Sequence, residues 1–144
     1  GLLEYPNNND GYTYNGQFKD GRPNGQGMSM SNKLGKYIGE WKDGRCHGVG
    51  IHEYPKNHQY HIRYDGQWKE GKKHGQGIWE YANGDRYEGE SKDGKLHGNG
   101  VYKFADGTIW KGEWKDGIRN GENFSQGEME SPPDLPNNDF WVGL

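Results

Sequence analysis

Along this chain, large aromatic side chains alternate with glycine on one side of a two-residue period, and polar and aliphatic residues fill the other. Tyr64, Gly66 and Trp68 share one face of such a period. Gly75, Gly77, Trp79 and Tyr81 share a face in the next stretch, and the grouping recurs as Tyr37, Gly39 and Trp41, then Gly48, Gly50 and Tyr54. The opposite face carries Glu40, Val49, Ile51, Gln76, Ile78, Glu90 and Val101, a mixed and half-wet set. Alternation of this kind predicts β-strands, and no window of about 11 residues carries a convincing helical period. Glycine weakens a strand, so its recurrence needs a reason. The expected reason is space, with a ring from a neighbouring strand lying over backbone that has no Cβ.

Turn residues separate the strands at even intervals. Asp43-Gly44, Asp93-Gly94, Asp106-Gly107, Asp116-Gly117 and Asn83-Gly84 fit type I′ turns, whose two central residues both need positive φ. Each unit thus reads as strand, tight turn, strand, tight turn, and consecutive units form an antiparallel meander. The aromatic of aromatic-x-Gly recurs at Tyr14, Tyr37, Tyr64, Tyr87 and Trp110. Successive starts are 23, 27, 23 and 23 residues apart, the long interval holding an insertion in "YPKNHQYHIR". The expected organisation is a partial repeat over 1–13, a repeat array over 14–123 and a non-repeat tail over 124–144. An opening half-repeat and a first residue other than Met read as a piece of something longer.

Composition changes the picture in two ways. Only 28% of the 144 residues are hydrophobic, yet 14% are aromatic and 26 are glycine, so Tyr, Trp and Phe must supply most apolar burial. The 18 basic and 21 acidic residues are interspersed, for a net charge of −3, which argues against binding nucleic acid through bulk charge. One cysteine, Cys46, excludes an intrachain disulfide and points to a reducing, cytoplasmic compartment. No stretch has the length of a transmembrane helix.

Tyr37–Gly50 and Tyr64–Gly77 both read Tyr-x-Gly-x-Trp-x-x-Gly-x-x-x-Gly-x-Gly. This pattern resembles MORN repeats (membrane occupation and recognition nexus), and it recurs in phase over roughly Gly1 to Gly121. Ser91 stands where that pattern has Trp, Trp110 where it has Tyr, and "MSMSNKLGK" lacks the usual aromatic. The resemblance implies an all-β fold, an elongated, twisted antiparallel meander with one hairpin per repeat. It also implies a scaffold near membranes or cytoskeleton.

Several chemical readings fail on geometry or spacing. His47, His74 and His97 each precede a Gly-x-Gly, but equivalent positions two strands apart lie about 10 Å from each other, too far to share a metal ion. "GQGIWE" and "GNGVYK" lack the third glycine and the following helix of a dinucleotide loop. Glu40, Glu90 and Glu113 recur with the repeat, as scaffold residues do, and Cys46 has no marked base partner. No catalytic residue, cofactor or metal is expected.

The leading expectation is therefore a non-enzymatic interaction scaffold. An aromatic and glycine-lined groove would take a peptide or helix of a partner protein on Tyr37, Trp41, Tyr64, Trp68, Tyr87, Trp110 and Trp114. The alternative is a membrane adaptor. Lys42, Arg45, Lys69, Lys72, Lys92 and Lys95 flank the first turns and would form a row facing acidic phospholipid, although neighbouring Asp43, Glu70 and Asp93 cancel much of its field. The tail ends in an apolar cluster, Phe140, Trp141, Val142 and Leu144, behind a Pro- and Asn-rich spacer. It is expected to dock on the array's own aromatic surface or on a second copy, giving a homodimer.

Overall fold

The computed structural model describes residues 2–4 and 11–120. They form one 11-stranded antiparallel sheet in which every strand pairs with its neighbour in sequence. The strands are β1 (Leu2–Glu4), β2 (Thr13–Lys19), β3 (Arg22–Ser31), β4 (Gly35–Lys42), β5 (Arg45–Glu53) and β6 (His61–Lys69). There follow β7 (Lys72–Tyr81), β8 (Arg86–Lys92), β9 (Lys95–Lys103), β10 (Ile109–Lys115) and β11 (Ile118–Asn120). No helix occurs among the described residues, so none there is long and apolar enough to cross a membrane. At about 4.8 Å per strand, the sheet extends roughly 48 Å across its strands.

Register explains why the pattern must repeat. Gly16, Gly27, Gly39, Gly50, Gly66, Gly77, Gly89, Gly100 and Gly112 stand opposite one another in turn, a continuous glycine row from β2 to β10. In the first four repeats a tyrosine ring lies across this row, and in the fifth the Trp110 ring does. A Cβ built on Gly77 would stand 2.5 Å from Cε1 and Cζ of Tyr64, so the ring occupies the room that a side chain would need. The core is a strip on this one face, built mainly of rings.

The tips obey the expected turn chemistry at one end of the hairpins and not at the other. Asp20, Asp43, Glu70, Asp93 and Asp116 all have φ between 48° and 52°, each followed by a glycine of positive φ. Glu70 adopts this conformation although it is neither Asp nor Asn. At the opposite end, Asn83-Gly84 and Asp106-Gly107 are not type I′ turns, because only the glycines have positive φ. Gly84 N–H donates to Tyr81 O (3.0 Å) and Gly107 N–H to Phe104 O (2.8 Å), closing wider turns. The Asn83 and Asp106 carboxamide and carboxylate oxygens instead accept the N–H of the residue two ahead, Asp85 and Thr108.

Successive repeats are also tied at their tips. Gly44 N–H donates to Pro23 O, Gly71 N–H to Cys46 O, Gly94 N–H to Lys73 O and Gly117 N–H to Leu96 O, each at 2.9 Å. The insertion between β5 and β6 leaves the glycine row in phase, since Gly50 still faces Gly66, and a register shift between His61 and Arg63 absorbs the local irregularity.

Candidate functional site

One face is a ladder of interlocked rings. Trp41 sits edge-on between Tyr14 and Tyr37, with both centroids 5.1 Å away, and Trp68 between Tyr37 (5.1 Å) and Tyr64 (5.2 Å). Edge-to-face pairs of this kind contribute about 0.5–1.5 kcal/mol each beyond area burial. Most of the polar tips are also satisfied, Tyr81 Oη and Trp114 Nε1 being the exceptions among these rings. Tyr14, Tyr37, Tyr64 and Tyr87 donate their hydroxyls to the carbonyls of Gln17, Glu40, Gln67 and Glu90 at 2.8–2.9 Å. Trp41 and Trp68 donate Nε1–H to Gly27 O and Gly50 O. Ser91, standing where tryptophan is expected, accepts Nε1–H of Trp79 at 2.9 Å.

The seven aromatics expected to meet a partner are core residues. Tyr37, Trp41, Tyr64, Trp68, Tyr87, Trp110 and Trp114 are 0–3% exposed. Their rings are consumed by one another and by the glycine row, which leaves little of them for direct contact.

The recurring Gln and Glu have a structural task. Register shifts in β2, β4, β6 and β8 fall at Gln17, Glu40, Gln67 and Glu90. Their side-chain oxygens reach the next strand and accept the N–H of Gln26, Val49, Gln76 and Asn99 at 2.5–2.7 Å. A group held this way in each copy is a clamp between strands.

The opposite face is open among the described residues. Met28, Ile38, Ile51, Asp65, Ile78, Glu88, Val101 and Lys111 face one another in order across β3 to β10. Ile38 is 42% and Val49 55% exposed. A shallow trough of about 720 Å³ crosses this face over Gly89, Gly100 and Gly112, bordered by Glu88, Glu90, Val101 and Lys111.

At the tips, Lys42, Arg45, Lys69, Lys72 and Lys92 are exposed and Lys95 is half-buried, with Asp43, Glu70 and Asp93 exposed beside them. Arg22, Lys42, Arg45 and His47 line a cleft of about 330 Å³ together with Asp43 and Glu70. The cations and acids expected from the sequence therefore do share one edge.

Sequence reasoning missed one corner. Lys73 is buried, with its Nζ 5.1–5.6 Å from the ring centroids of Tyr54, Tyr64, Trp68 and Trp79. Burial pushes the amine well below the ordinary lysine value. His52 stacks on Tyr54 at 3.9 Å, and burial, reinforced by the Lys73 charge, pushes it down to about 3. His58 and His61 lie on the same tyrosine ring at 4.8 and 4.9 Å. The signal was available: Lys73 occupies the position of buried Cys46 and Leu96, and three histidines cluster in and beside the one insertion. By contrast, His47, His74 and His97 are only half-buried, and no group of three or more potential metal ligands occurs among the described residues.

The tail residues Phe140, Trp141, Val142 and Leu144 lie outside the described residues. The sequence profile of the MORN repeat family matches residues 14–30, 37–59, 64–86, 87–109 and 110–122. No curated protein matches the chain.

Proposed function

Because the chain belongs to the MORN-repeat family, we propose that it is a non-enzymatic scaffold, cytoplasmic and receiving a segment of a partner protein. The observation that carries this reading is the open face. A sheet whose core lies wholly on one side presents Ile38, Val49 and the trough over the glycine row on the other. The aromatic strip acts as the frame that holds this surface in register, and the glycine backbone is the floor on which a partner's side chains rest. Asp65, Glu88 and Glu90 beside Ile51, Ile78 and Val101 suit an apolar segment that carries basic residues.

A photo-crosslinking residue placed at Val49 or Ile78 tests the reading in cells. Capture of one and the same partner from both positions, lost when Ile38 and Val101 are changed to Glu, supports it. Capture only from the tip position Lys42 overturns it. The cleft of Arg22, Lys42 and Arg45 favours a second reading, attachment to acidic phospholipid. Vesicle co-sedimentation that disappears on changing Lys42, Lys69 and Lys92 to Glu would favour that one.

A further inference from the structure

We propose that the insertion between β5 and β6 is a pH-operated latch: it is closed while the His58 imidazole is neutral, and a proton taken up at Nδ1 releases it. The loop is held at few points. Tyr54 N–H donates to Ile62 O (2.9 Å) and His58 N–H to Pro55 O (2.9 Å), and Ala82 N–H of the β7 end donates to Tyr60 O (2.8 Å). Between these lies His58. Its Nδ1 accepts two backbone N–H groups, from Tyr60 at 3.2 Å and His61 at 3.0 Å. Two accepted bonds require a lone pair there, so the closed loop holds the Nε2–H tautomer. The imidazolium has donors at both nitrogens and can make neither bond.

The surroundings oppose that proton further. On β5 stand His52 and Glu53, in the loop Tyr54 and Lys56, on β6 His61 and Arg63, and on β7 Lys73, Glu80 and Tyr81. Lys73, His52 and His61 all contact the Tyr54 ring on which His58 lies. Two carboxylates, Glu53 and Glu80, line the same cavity as His58; the cations Lys56 and Arg63 line it with them, and Glu80 has Arg86 at 3.8 Å. Burial, then the Lys73 charge, lowers the His58 pKa. The open loop has the ordinary histidine value, about 6.5, so the closed form is fully favoured above it and loses ground as pH falls below it. The loop also forms part of the wall of a cavity of about 530 Å³, whose lining includes Tyr54, Pro55, His58 and His61 beside the charged groups just named. Release of the latch dismantles that cavity and leaves the strands in register.

Hydrogen exchange on the full chain tests the latch. Between about pH 7.5 and pH 5.5, protection of the Tyr60 and His61 amides should fall by up to about tenfold after correction for intrinsic rates, the limit set by an open-state pKa near 6.5. Amides of β8 and β9 should keep theirs. In His58→Asn the carboxamide oxygen can accept the same two N–H groups and does not titrate, so protection should be independent of pH. Lys73→Met should raise the His58 titration midpoint seen by NMR. Unchanged protection in the wild type, a fall shared equally by β8 and β9, or an undiminished pH response in His58→Asn overturns the proposal. Should the variants fold poorly, the wild-type imidazole nitrogen shifts decide: an Nδ1–H tautomer at about pH 7.5 is incompatible with the latch.

Discussion

Replacing Gly77 by Ala tests whether the glycine row exists to seat the tyrosines. The φ of Gly77 lies in the ordinary range for a strand, so alanine meets no conformational penalty there and even gains on the order of 0.5–1 kcal/mol over glycine in a strand. Against that gain stands the 2.5 Å approach to Cε1 and Cζ of Tyr64, more than 1 Å inside ordinary carbon contact (about 3.5–4.0 Å). The ring must shift, and overpacking of this kind costs about 1–3 kcal/mol. A shifted ring also strains the Tyr64 hydroxyl bond to Gln67 O, worth about 1 kcal/mol. The balance is a loss of roughly 1–3 kcal/mol, read as a lower urea midpoint by tryptophan fluorescence. Two comparisons isolate the cause. Gly44→Ala, at φ 82° with nothing within 4 Å of the added Cβ, should cost about 1 kcal/mol from backbone strain alone. Gly77→Ala on a Tyr64→Leu background should cost clearly less than on the wild type, a coupling measurable by the double-mutant cycle. An equal cost in both backgrounds, or an unchanged midpoint, refutes the reasoning.

Other outcomes follow from single contacts. Ser91→Ala leaves the buried Trp79 Nε1–H without its acceptor and should destabilise by about 1–3 kcal/mol in a thermal or urea melt. The folded pKa of Lys73 is lowered, so stability should rise as pH climbs from that folded pKa towards the unfolded value of about 10.4, and Lys73→Met should lose that slope. Removing residues 131–144 should change oligomeric state or lower the melting temperature if the apolar end docks on the array; an unchanged protein by sedimentation and calorimetry would leave the tail as a free ligand for something else.

The regular part of the fold was legible because its causes are local and repeated. Asp-Gly between strands, glycine at fixed offsets and a two-residue alternation of rings recur in phase over successive repeats, and that coherence identifies the meander. The turns at Asn83 and Asp106 were misread because Asn-Gly and Asp-Gly also serve wider turns, where the side chain caps a backbone N–H and only glycine takes positive φ. That Tyr37, Trp68 and their fellows, expected to supply the burial, keep almost no surface for a partner was not legible for a different reason. Alternation assigns a face and says nothing of how much of it remains open once rings from neighbouring strands interlock. Lys73 was passed over because a lysine between two strands looks like surface, and only its register with Cys46 and Leu96 shows that four rings surround it.

The tip bonds, each from a turn glycine to a carbonyl of the preceding hairpin, bear on how such a chain can change its length over generations. Each of the three inner hairpins both offers that carbonyl and uses the one before it, so the joint between units is the same wherever it occurs along β2 to β11. Duplicating or deleting a whole unit would therefore recreate joints already present and require no new complementarity. Adding a single residue inside a strand would instead invert its faces and put rings where the clamping Gln and Glu belong. Inheritance can thus alter the reach of the sheet in steps of one hairpin, while novelty is confined to the connections, and the 27-residue interval is where this chain has used that freedom.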